Sequence, residues 1–131
     1  MVLVLDTRFL IAHTFPPSNE DRKRLKVFSS KIAREEILIP SVVAIEFLKL
    51  VGLRLGREAT EVRIRQWLNT CARIPSFGEE ESFLAGRMAL SHRDVPLADV
   101  MIAAIAKLHK AEIVSDDPHF FELGVRTVWY K

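Results

Sequence analysis

Acidic residues stand at four places in this sequence where a solvated surface would not put them. Asp6 follows the apolar run MVLVL, and Asp116 and Asp117 follow AEIVS at residues 111–115. Glu46 has Val42 and Val43 at i−4 and i−3 and Leu50 at i+4. Asp99 follows Val95 and Pro96 and precedes Ile102 and Ala103. Glu46 and Asp99 are therefore acids on apolar helical stripes. A lone carboxylate is costly to bury, so such groups normally find a cation or strong donors. Each acid also has an ordinary structural reading. Asp6 can cap a following helix, Glu46 can pair with a core arginine, Asp99 can complement a helix dipole, and Asp116 or Asp117 can open a turn before Pro118. Taken together, they point to one shared acidic site. Carboxylates gathered in one pocket repel unless a cation joins them, and all-oxygen ligation suits magnesium or manganese. Zinc is disfavoured. His13, His92, His109 and His119 show no paired spacing and are expected at the surface or at helix ends, and Cys71 is the single cysteine. A hard-metal site of this kind can activate water and stabilise an in-line displacement at phosphorus, so phosphodiester hydrolysis is its natural chemistry.

The elements that must position these acids alternate along the chain. Strands are expected at 1–5, 36–40, 72–75, 111–115 and 126–130. The first is a continuous apolar run, as suits a parallel strand covered on both faces. A short helix begins with TRFLIAHTF and is stopped by Pro16 and Pro17. Ser18 can cap a helix over 19–34, with Leu25, Phe28 and Ile32 on one stripe. Ser41 can cap VVAIEFLKLV, with Gly52 as its stop. Further helices are expected over 57–70, from the serine–glutamate spacing of SFGE (76–79) to about 91, and over 97–110 after Pro96. The alternation predicts an α/β fold: a single three-layer α/β/α domain over 1–131 with a central parallel sheet of about five strands. On this topology Asp6 and the acids after residue 115 share the carboxyl rim of the sheet, where open α/β sheets place their functional crevice.

Composition excludes several classes. At 131 residues, 49% hydrophobic and 27% charged, the chain can bury a real core. A net charge of +2 gives no global basic field. Residues 54–73 nevertheless hold Arg54, Arg57, Arg63, Arg65 and Arg73 against Glu58 and Glu61, a patch that can bind phosphate or simply form a solvated helix face. One cysteine allows no intramolecular disulfide, which fits a reducing cytosol. Asp6 and Arg8 interrupt the N-terminal apolar run, so no signal peptide is expected. The longest stretch without a charged residue, 9–19, contains two prolines, so no membrane span is expected. There is no Gly-rich phosphate loop and no Gly-x-Ser-x-Gly elbow.

Four stretches, VLVLDTRFLI, ILIPSVVAIEFLKL, VPLADVMIAAIA and IVSDDPHFF, together and in this order resemble the PIN-domain family, particularly the VapC-type toxins of prokaryotic toxin–antitoxin pairs. The resemblance implies a magnesium- or manganese-dependent ribonuclease, cytoplasmic, usually a homodimer and often inhibited by a small antitoxin protein. Carried over motif by motif, the family's acids fall on Asp6, Glu46, Asp99 and Asp117, with Asp116 as a spacer that could substitute. Thr7 and Ser115 match its supporting hydroxyls. Position 8, often a small polar residue in the family, is Arg8 here. Arg8 could bind a substrate phosphate or pair with a neighbouring acid, and Arg54 and Arg57 are further candidates for RNA contact. Two other readings stay open: a non-catalytic RNA- or protein-binding module on the same fold, and a nuclease acting on DNA.

Overall fold

The computed structural model describes residues 1–131 and contains five strands and seven helices in the order β1 (Val2–Leu5), α1 (Thr7–Thr14), α2 (Asn19–Ile32), β2 (Glu36–Leu38), α3 (Ser41–Leu55), α4 (Arg57–Thr70), β3 (Ala72–Arg73), α5 (Glu79–Ser91), α6 (Leu97–Leu108), β4 (Glu112–Val114), α7 (His119–Glu122) and β5 (Thr127–Val128). The strands form one sheet in the order β3-β2-β1-β4-β5, and every pairing is parallel. Parallel neighbours need crossovers, and the helices supply them, giving the three-layer α/β/α arrangement. β1 lies in the middle of the sheet, and Leu3, Val4 and Leu5 are buried from both sides. That burial is why the N-terminal run is apolar without alternation.

On one side, Phe9 of α1 is fully buried and meets Phe28 of α2, Trp67 of α4 and Trp129 after β5, with ring centroids 5.7–6.2 Å apart and edge-on. This geometry suits the quadrupoles of aromatic rings. α6 is apolar nearly all round because it is buried nearly all round: Val100 and Ile102 to Ala106 are inaccessible, with α5 packed on it. Cys71 is a free, half-buried thiol packed against the core.

Three boundaries differ from the sequence expectation. The strands after β1 are only two or three residues long. α5 starts at Glu79 rather than after Ser76, because the Glu81 carboxylate accepts from the backbone N–H of Gly78 at 2.7 Å. α3 passes through Gly52 and ends at Gly56, whose φ of +84° and ψ of 161° turn the chain into α4. Non-glycine residues pay heavily for that backbone conformation, whereas Gly52 is ordinary helix interior with room for a β-carbon 4.0 Å from Thr60 Oγ1. Gly56→Ala is therefore expected to destabilise the fold by roughly 1–3 kcal/mol, and Gly52→Ala to be neutral or to stabilise it slightly. Urea unfolding of the two variants checks this; equal losses at both positions would contradict it.

Candidate metal and active site

The parallel register of the sheet brings the first two site residues together. Leu5 pairs with Val114, so the next residues, Asp6 and Ser115, lie side by side where β1 and β4 end. Asp6 is 3% exposed and Ser115 1%. The Ser115 hydroxyl donates to Asp6 Oδ2 at 2.6 Å, and the Thr7 backbone N–H donates to Asp6 Oδ1 at 2.8 Å. Asp6 thus does two things: it caps α1 and faces inward along the rim. The Thr7 hydroxyl in turn donates to Glu46 Oε1 at 2.8 Å, which fastens α3 to the end of β1. No core arginine pairs with Glu46; its recorded polar partner is this hydroxyl.

The segment after β4 completes the cluster. Ser115 Oγ accepts from the Asp117 N–H at 3.0 Å, and Asp117 Oδ1 accepts from the His119 N–H at 2.9 Å, which turns the chain into α7. His119 Nδ1 then lies 2.9 Å from Asp99 Oδ2 and 3.3 Å from Asp117 Oδ1. Glu46, Thr7, Asp6, Ser115, Asp117, His119 and Asp99 therefore form one unbroken chain of contacts across residues from α3, α1, the β1 and β4 ends, α7 and α6. All four acids inferred from the sequence meet here. His119 was not among them. Its spacing two residues after Asp117, at the start of a helix that the Pro118 turn concealed, is the local signal that could have found it.

Asp116 turns away from the cluster. It pairs with Arg8, Nε to Oδ1 at 2.6 Å, and the guanidinium holds its carboxyl below the usual range. Both side chains are about half exposed, so the pair itself adds about 0–1 kcal/mol. It does decide which of two adjacent acids faces inward. Arg54 stacks 3.8 Å above the ring of Phe15, and Arg57 lies 3.9 and 3.7 Å from Glu58 and Glu61. Neither contacts the acid cluster.

The electrostatics follow from burial. Burial pushes the Asp6 carboxyl up from 3.8 to about 6, against the lowering effect of the Ser115 hydroxyl and with the negative charges of Asp99 and Asp117 pushing the same way. Burial also raises Asp99; the His119 contact opposes this, while Asp117 and Glu46 add to it. His119 is raised chiefly by its bond to Asp99. No lysine or arginine lies within ion-pair distance of any of the four acids. Ligand atoms of Asp99, Asp117 and His119 all lie within 4.8 Å of one another, a group that can hold a divalent cation, with Asp6 and Glu46 joined to it through Ser115 and Thr7.

Residues 3–125 match the family model of the PIN domain. The chain belongs to the PIN domain family. No curated protein matches it. Among solved structures, this PIN domain is similar to a chain of VapBC2 from Rickettsia felis, solved with a DNA fragment from its promoter, at a TM-score of 0.80 and 18% identity over 98% of both chains. It is similar to a chain of FitAcB from Neisseria gonorrhoeae at a TM-score of 0.70 and 25% identity, over 97% of this chain and 96% of that one. It is also similar to Mycobacterium tuberculosis VapC20, a Sarcin-Ricin loop cleaving toxin, at a TM-score of 0.76 and 16% identity, over 94% of this chain and 95% of that one. At 16% and 18% identity such likeness speaks for the PIN fold alone. No helix is long and apolar enough to cross a membrane.

Proposed function

We propose that this PIN domain, over residues 1–131, is a metal-dependent endoribonuclease and the toxin of a type II toxin–antitoxin pair, acting in the cytoplasm. The observation that carries the reading is the contact chain that joins Asp6, Glu46, Asp99 and Asp117 at the carboxyl rim, with one histidine, His119, and no lysine or arginine paired to them. Membership in the family and the toxin–antitoxin complexes among its structural neighbours support it. Asp6, Glu46, Asp99 and Asp117 would hold Mg2+ or Mn2+. A bound divalent cation supplies a water of lowered pKa and offsets charge on the phosphodiester. Ser115 and the Thr7 N–H fix both oxygens of Asp6, and the Thr7 hydroxyl fixes Glu46, so two carboxylates are oriented before anything binds. His119 tempers the repulsion between Asp99 and Asp117.

Cleavage of total RNA is expected with magnesium or manganese and is expected to vanish in excess EDTA. Mapping of the products, with single-stranded DNA assayed beside RNA, tests the reading. Full activity in EDTA would overturn the metal mechanism, cleavage of DNA alone would overturn the ribonuclease assignment, and no cleavage of either would leave the non-catalytic binding module.

The chain is also proposed to be a homodimer that binds a small antitoxin. Residues 25–70 carry many apolar helical positions that such a dimer would use, among them Leu53, Leu55 and Trp67. Trp67 packs edge-on against Phe9 and is half-buried in the monomer. On α3 and α4, Leu53 at 84% exposure, Ile45 at 65%, Val62 at 53% and Leu55 at 38% are exposed apolar side chains. Light scattering at micromolar concentration is expected to give twice the monomer mass; a monomer mass would contradict the dimer.

A further inference from the structure

Two clefts meet at the same pair of aromatic residues, Trp129 and Tyr130. One, of about 370 Å³, runs from Arg8 and Asp116 to Trp129, Tyr130 and Lys131. The other, of about 450 Å³, shares Trp129 and Tyr130 and is bounded by Lys23, Arg24 and Lys31 of α2. The first reaches the edge of the site through Arg8, which pairs with Asp116 and feels the charges of Asp117 and Asp6. Arg24 is held by Glu20 at 2.7 Å, and Lys131 lies 3.5 Å from Asp21. Lys23 and Lys31 are exposed and form no ion pair. The aromatic floor is rigid. Trp129 abuts Phe9 edge-on and lies 4.9 Å from the Tyr130 ring, and the Tyr130 hydroxyl is anchored on Asp21 at 2.8 Å.

A rigid aromatic floor between separated cations is how sequence-tolerant grooves hold single-stranded nucleic acid: bases stack and phosphates meet lysine or arginine. We propose that this groove carries the single-stranded RNA flanking the scissile phosphodiester, with a base against Trp129 and phosphates on Arg8, Lys23 and Lys31. The inference rests on the nuclease reading above and adds the path by which substrate reaches the acids. An acidic peptide would use the cations but leave the aromatic floor without a role. Asp116 positions Arg8 at the groove's entrance, which gives the exposed ion pair a function that its small contribution to stability does not.

The test uses the full chain carrying Asp99→Asn, in EDTA, with a labelled oligouridylate as probe. Adding Lys23→Gln with Lys31→Gln is expected to weaken binding about 10-fold and to flatten the slope of log affinity against log salt by about 1.4. Arg87→Gln with Lys110→Gln removes the same charge from α5 and the turn after α6 and is expected to change little. Binding is also expected to shift the NMR signal of the Trp129 indole more than that of Trp67. Equal weakening by both double variants, or an unmoved Trp129, overturns the groove. So does oligoglutamate that shifts Trp129 where oligouridylate does not. Cleavage by the otherwise wild-type chain is followed in parallel with magnesium. Cleavage that the Lys23 and Lys31 changes leave untouched overturns the groove alone. Absent cleavage overturns the nuclease reading, and the binding arm, measured on the Asp99→Asn chain, still decides the groove.

Discussion

Asp99→Asn is expected to abolish RNA cleavage while leaving the metal-free protein at least as stable as wild type. Partners that merely orient a metal's ligands cost about 10–100-fold when mutated, so a direct ligand is expected to cost at least about 100-fold. The stability forecast comes from charge. Asp99 is half-buried, and Asp117 and Glu46 both disfavour its ionised form. Asparagine keeps the shape and an acceptor for His119 while removing one negative charge. Metal should then raise the melting temperature of wild type more than that of the variant, since a ligand stabilises only the state that binds it. At a metal concentration 100 times Kd this linkage is worth about 2.7 kcal/mol. A structural acid behaves in the opposite way. Were Asp99 chiefly an ion-pair partner, removing its charge would cost on the order of 3–5 kcal/mol. Thermal melts of both proteins in EDTA and in magnesium separate the cases, and a variant clearly weaker in EDTA would defeat the assignment.

The metal-free protein is expected to lose stability as pH rises through the titration of Asp6. The folded carboxyl titrates at about 6 and the free side chain at 3.8. The folded state therefore binds the proton more tightly, and the associated stability is fully present below about pH 4 and lost by about pH 7. That separation corresponds to about 3 kcal/mol. The groups around Asp6 bear on its titration: Asp99 and Asp117 raise it, and the Ser115 hydroxyl and Thr7 N–H lower it. Other groups contribute to the overall curve. His119 acts in the same direction as Asp6. His13, held neutral by burial, acts oppositely because its stability is lost as pH falls. The clean observable is accordingly a difference: ΔG of unfolding in EDTA for wild type minus Asp6→Asn, measured from pH 4 to 8. A difference curve that is flat, or that rises with pH, would defeat the prediction. Magnesium should erase the fall, because it favours the ionised carboxylate.

Much of this architecture is written in local pattern. MVLVL declares a buried parallel strand because a strand covered on both faces must be apolar throughout. The run LADVMIAAIAKL declares a buried helix for the same reason, and the acids that interrupt these patterns stand out because a buried carboxylate needs a purpose. What local pattern does not carry is backbone torsion and neighbour identity. Gly52 and Gly56 look alike as helix stops, and only the chain path shows which one takes the positive φ. Ser76 and Gly78 compete to start α5, and the Glu81 side chain decides. His119 hid behind Pro118, where a turn and a short helix start look the same.

The sequence by itself determined that the chain is an α/β domain with acids at strand ends and on buried helical stripes, because burial and periodicity are properties of neighbouring residues. Tertiary structure decided the rest. The strand order that puts β1 beside β4 makes Asp6 and Ser115 partners across 109 positions. It also makes Asp117 rather than Asp116 the inward acid, since Arg8 claims the other, and brings His119 between two carboxylates. Those choices depend on which distant segments the crossovers deliver to one rim, and no spacing along the chain encodes that distance.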